Sequence, residues 1–142
     1  MTAVDPCGGY FPTRLELLMT NLSAEPILGN VLDAWQQAIA AHDYEGVAKL
    51  FTEDAVFQGL HPFSVGRPGV AAYYASQPLG MTVDYRVLNS RHLADDVALG
   101  WVAAEFSFAD GSRPPLPVSL TVVVQAGKIA HYHVSHRIDA GH

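Results

Sequence analysis

The chain has 142 residues, 49% apolar and 15% charged, with eight Lys and Arg against fourteen Asp and Glu for a formal charge of −6. This length suits one ordinary domain and the apolar share suffices for a core, which excludes intrinsic disorder and a second domain. The acidic balance has the wrong sign for phosphate backbones or anionic lipid, so neither nucleic acid nor a membrane surface is expected as a partner. The longest apolar run, Val97 to Ala104, falls well short of the ~20 residues that a membrane span requires. The single cysteine, Cys7, allows no intrachain disulfide and no cysteine-built zinc site. Residues 1–22 lack the basic start and unbroken apolar stretch of a secretory signal, because Asp5, Pro6, Gly8 and Gly9 interrupt them; the expected compartment is the cytoplasm.

Residues 1–22 read as a tail or short extension, though Phe11, Leu15, Leu17, Leu18 and Met19 make it apolar enough to pack on the domain or on a neighbouring subunit. Residues 23–142 read as a single domain. Ser23 is placed to cap a helix whose first turn accommodates Pro26, and Leu28, Val31, Leu32, Trp35 and Ile39 recur at three- and four-residue spacing up to Ala41. Asp43 is placed to cap a second helix of about two turns, with Val47, Leu50 and Phe51 on one side and Thr52, Glu53 and Asp54 at its close. Residues 55–60 alternate as a strand, His61, Pro62 and Gly66 mark a loop, and Pro68 opens a short helix through Tyr73 and Tyr74.

The rest reads as four strands, 81–93, 97–108, 117–125 and 128–137, separated by Asp95-Asp96, Asp110-Gly111 and Ala126-Gly127. Loops so short join antiparallel neighbours. Helices first and hairpin-linked strands second predict an α+β domain with helices on one face of a curved sheet.

Two segments carry a resemblance: His42 through Phe57, reading HDYEGVAKLFTEDAVF, and Gly127 through Ser135, reading GKIAHYHVS. With the turn Gly66-Arg67-Pro68-Gly69-Val70 they resemble the nuclear transport factor 2-like superfamily, and within it the SnoaL-like branch, over about residues 26–138. His131-Tyr132-His133 is also similar to the last strand of kinase II association domains and SgcJ-type proteins. The resemblance implies a cystatin-like cone: a long helix and short helices packed on a strongly curved, mostly antiparallel sheet, with an internal pocket. It also implies a homodimer through the convex sheet face. Members include isomerases, cyclases, hydrolases and non-catalytic modules, so the fold leaves the chemistry open.

A two-residue turn at Ala126-Gly127 pairs Gln125 with Lys128, and unbroken alternation then sets Ser119 opposite Val134 and Thr121 opposite Tyr132. One face carries Ser119, Thr121, Val123, Ala130, Tyr132, Val134 and His136, and the other Leu120, Val122, Val124, Ile129, His131 and His133. Similarity to the ketosteroid isomerase branch implies that the Ser119 face is concave and that Trp101, Ala103 and Glu105 join it. A three-residue loop at 94–96 sets Tyr85 opposite Glu105, and a two-residue loop sets Arg86 there; the apolar stripe Met81, Val83, Tyr85 and Val87 favours Tyr85 inside.

The expected ligand site therefore comprises Trp35, Phe57, His61, Tyr74, Tyr85, Trp101, Glu105, Ser119, Tyr132 and His136, an aromatic wall with a few polar groups, suited to a small apolar or aromatic molecule. A buried carboxylate at Glu105 needs a partner, water or a proton, which makes Glu105 one acid/base candidate and His136 the other. His131 and His133 share a strand face, but no third ligand accompanies them, so no metal is expected. Against the isomerase pattern the catalytic tyrosine position holds Trp35 and the two aspartate positions hold Gly59 and Ser119. The expected function is ligand binding without a cofactor. The alternatives are a cofactor-independent isomerase, cyclase or hydrolase, and a non-catalytic assembly module.

Overall fold

A computed structural model describes the backbone of residues 3–4, 10–11, 14–59 and 63–136, and side chains from residue 24 onward within those ranges. The elements run β1 (Ala3–Val4), β2 (Tyr10–Phe11), α1 (Arg14–Ala40), α2 (Tyr44–Lys49), β3 (Phe51–Gln58), β4 (Phe63–Val65), α3 (Arg67–Ala75), β5 (Met81–Ala94), β6 (Val97–Phe108), β7 (Leu116–Gln125) and β8 (Lys128–His136). β1 and β2 form an antiparallel pair, and the main sheet has the order β4-β3-β8-β7-β6-β5. The antiparallel run β5 to β8 follows from its short loops, while β3 closes on β8 in parallel. This is the α+β cone anticipated above.

Three boundaries differ from the sequence expectation. α1 begins at Arg14 rather than after Ser23, so Pro26 lies inside it, where it forfeits one backbone hydrogen bond while packing sustains the helix. α2 ends at Lys49 and β3 starts at Phe51, because Phe51 pairs with Ile129 and the Ile129 amide donates to the Leu50 carbonyl at 2.8 Å. Part of the loop after His61 is a short strand, Phe63–Val65, paired with β3. The Asp43 cap is as expected, its carboxylate accepting from the Gly46 amide at 3.0 Å.

α1 lies across β5 and β6 and buries Ala24, Leu28, Val31, Leu32, Trp35 and Ile39 on the concave face of the sheet. The sheet side of this core is Val102, Ala104 and Phe106 from β6, Val118, Leu120, Val122 and Val124 from β7, and Ile129, Tyr132 and Val134 from β8.

Which residues face α1 is decided by β-bulges. The Ala126-Gly127 turn has both residues at positive φ, 51° and 79°, and pairs Gln125 with Lys128 as expected. A bulge at Ala130 then slips the register, so Tyr132 pairs with Val122 and Ser119 with Ser135. One extra residue exchanges the faces of β7 relative to β8. The Ser119 face is therefore convex rather than concave. It carries Thr121, Val123, His131 and His133, whereas Leu120, Val122, Val124, Tyr132 and Val134 point inward. Trp101, Ala103 and Glu105 do share the face of Ser119, and they too lie outside.

β5 carries two such bulges, at Leu88 and Leu93, and both leucines are exposed. Together they set Asp84 opposite Glu105, in place of Tyr85 or Arg86, while Tyr85 pairs with Ala104 and faces inward. The stripe Met81, Val83, Tyr85 and Val87 is thus concave, as its composition indicates.

At Gly100 a side chain of α1 packs directly on the β6 backbone: a Cβ there would stand 2.7 Å from Leu28 Cδ1, and Leu28 is itself fully buried. Gly100→Ala should therefore destabilise the fold by about 1–3 kcal/mol through overpacking. Urea unfolding would show this as a lower midpoint with an unchanged slope.

Candidate functional site

Trp35 on α1 sits at the centre of an aromatic cluster. Its ring centroid lies 6.2 Å from those of Phe106 and Tyr132 and 6.5 Å from that of Tyr85. Its indole Nε1 donates to the Tyr74 hydroxyl at 3.1 Å. Phe57 stacks on Tyr132 with centroids 4.8 Å apart and planes 10° from parallel, and also meets Tyr73 and Tyr74 at 5.0 and 5.9 Å. Trp35, Phe57, Tyr74 and Tyr132, all expected around one site, are thus brought together, and all four are buried.

A cavity of about 330 Å³ opens beside this cluster, at the end of the cone where α3 finishes, β5 and β7 start, and β6 and β8 end. Its apolar lining is Met81, Phe106, Phe108, Leu116, Val118 and Val134, and its polar lining is Tyr73, Gln77, Arg113, Tyr132 and His136. Among the nine described residues of the ten expected at the site, Tyr132 and His136 line this space. Trp35, Phe57 and Tyr74 form the packed layer behind Tyr132. Tyr85 faces inward farther along β5 and donates its hydroxyl proton to the Asp33 carboxylate.

Trp101, Glu105 and Ser119 lie on the convex face, Glu105 exposed and set between Asp84 and Pro117. The premise that Glu105 is a buried carboxylate thus gives way: the strand position is amphipathic and its polar side meets solvent. His61 falls outside the described residues. Among the described residues no cluster of three metal-ligating side chains occurs, and no helix is long and apolar enough to cross a membrane.

Most of the lining was missed in the sequence, although Phe106, Phe108, Val118 and Val134 do alternate correctly along their strands. What hid them was the Ala130 bulge, which leaves no residue-level mark. Arg113 was hidden by its loop, whose path only the folded chain defines.

Burial raises the Tyr74 and Tyr132 hydroxyls well above their ordinary range. At Tyr74 donation from Trp35 and Tyr132 partly offsets this, and at Tyr132 the neighbouring tyrosines add to it. Tyr73 is raised by burial and drawn back by the charge of Arg113. Arg113 stands over the Phe108 ring with its guanidinium carbon 4.8 Å from the centroid.

A folded tyrosine that keeps its proton while the unfolded one ionises near pH 10.0 stabilises the fold below that pH and loses this contribution as pH rises. Stability should therefore fall above about pH 10, by up to ~1.4 kcal/mol per pH unit for each of Tyr74 and Tyr132. Denaturant melts from pH 8 to 11 would show it, and Tyr74→Phe should flatten the slope.

The sequence profile of the SnoaL-like domain matches residues 32–132. No protein with a curated description matches the chain. Solved structures are similar in fold. One is a domain of unknown function with a cystatin-like fold from Nostoc punctiforme, 19% identical, covering 86% of this chain and 82% of that one at a TM-score of 0.72. Another is a ketosteroid isomerase-like protein from Erwinia carotovora, 20% identical, with coverage of 89% and 100% and a TM-score of 0.64. An NTF2-like protein of unknown function from Pseudomonas putida is 20% identical, with coverage of 85% and 92% and a TM-score of 0.67. At these identities the likeness speaks for the fold alone.

Proposed function

The chain belongs to the SnoaL-like domain family, and from that premise we propose that it binds a small, largely apolar or aromatic molecule in the cavity at the open end of its cone. The observation that carries this reading is the cavity itself: about 330 Å³, lined by the rings of Tyr73, Phe106, Phe108 and Tyr132, by Met81 and branched aliphatics, and by a few polar groups. At ~30 Å³ per water-sized group the space suits about eleven such groups, the scale of a one- or two-ring molecule. Burying each apolar group of that size contributes about 0.8 kcal/mol, which reaches the micromolar range once about ten act together.

The neutral two-ring compound 2-naphthamide is a suitable probe. Titration calorimetry should give a micromolar Kd, and Leu116→Trp, which puts an indole into the half-buried rim, should weaken binding at least tenfold with the fold retained. Absence of heat at millimolar probe would refute the reading.

An enzymatic reading rests on His136, the imidazole that lines the cavity, as general acid or base. Glu105 takes no part in it from the convex face.

The reading extends to a homodimer joined through the convex sheet. Its support is the band formed by Leu99, Trp101, Ala103, Thr121 and Val123, half-buried or buried on a face that none of the described helices covers. Sedimentation equilibrium at micromolar concentration should give twice the 15.3 kDa chain mass, and Trp101→Arg should give the chain mass alone.

A further inference from the structure

We propose that the cavity selects ligands with a carboxylate-class anionic head, held at its mouth by Arg113, with His136 as a second donor; this rests on the binding function proposed above. Arg113 is the one formally charged side chain among the described lining residues, and no aspartate or glutamate accompanies it there. The chain as a whole is acidic at −6, so a lone cation at the rim of an apolar space is a local reversal of sign.

The guanidinium is also prepared for the role. The Phe108 ring 4.8 Å beneath it provides a stacking surface, and its charge reaches the Tyr73 hydroxyl at the cavity wall. Among the described residues no carboxylate stands within ion-pair distance of Arg113, since the ion pair found there joins Arg67 and Glu53. Asp110, on the same turn, feels the Arg113 charge but is solvent-exposed, outside ion-pair distance and already accepts from the Ser112 amide at 2.9 Å.

The remaining polar groups fit the same assignment. The Gln77 amide is turned back onto the Tyr73 carbonyl and the Ser76 hydroxyl, each at 3.3 Å, and Tyr132 donates to Tyr74. That leaves Arg113, His136 and the Tyr73 hydroxyl as the donors lining the space, and of these Arg113 alone is formally charged. A planar fork of N–H donors matches the two oxygens of a carboxylate, so an aromatic acid would place its ring against Phe106, Val118 and Val134 and its head at Arg113.

The test uses two probes of the same shape, 2-naphthoate and 2-naphthamide, titrated at pH 7.5 into the full-length protein. The wild type should bind the carboxylate about threefold to fivefold more tightly than the amide, the strength expected of a charge-assisted pair at a solvent-exposed rim. Arg113→Gln should bring the two affinities together, and Arg113→Lys should restore part of the preference by returning the charge without the fork. Equal affinity of the wild type for both probes would overturn the anionic head while leaving the binding function intact. A preference that survives Arg113→Gln would overturn the role of Arg113, and binding of neither probe would overturn both readings.

Discussion

Packing around the Trp35 indole is the constraint on which the rest of this structure depends. One side chain on α1 meets Tyr85 of β5, Phe106 of β6 and Tyr132 of β8, and donates a hydrogen bond to Tyr74 of α3. Four elements distant in sequence are thereby tied to one ring, which sets how deeply the helix sits in the sheet. Gly100 serves the same end by letting Leu28 reach the β6 backbone. A polar atom is buried in the process, and the indole N–H is satisfied at Tyr74, which avoids the cost of an orphaned donor.

The cavity follows from where that packing stops. The cluster of Trp35, Phe57, Tyr74 and Tyr132 packs the interior behind the cavity, and among the described residues no further helix fills the space between α3 and the ends of β6 and β8. The aromatic layer is thus the floor of the site rather than its wall. Its hydroxyls are spent on one another, and the polar groups left facing the opening come from the rim, where Arg113 and His136 stand. A site built this way discriminates by shape inside and by charge at the mouth.

Much of the architecture was legible in the chain. The strands from Met81 to His136 follow from period-two alternation and short polar turns, and the Asp43 cap and the α1 stripe follow from residue chemistry and spacing. Sidedness was legible within one strand and across β6 and β7, whose pairing carries no bulge: the inward stripe of β5 is correct, as is the grouping of Trp101, Ala103 and Glu105 with Ser119. It failed between β7 and β8 and between β5 and β6, because a bulge at Ala130 and two in β5 each shift parity by one residue.

What the sequence determined by itself, then, is local: which segments are helices and which are strands, where the turns fall, and which side chains are apolar enough to be buried. These depend on near neighbours along the chain, where propensity, capping and alternation act. Which face of the sheet receives α1, and hence whether Glu105 or Val118 points into the cone, was decided only by the tertiary structure. So were the placement of Arg113 over Phe108 and the parallel closure of β3 on β8. Each of these joins residues far apart in the chain, and their positions follow from the accumulated register of the sheet and the packing of Trp35, neither of which a single segment contains.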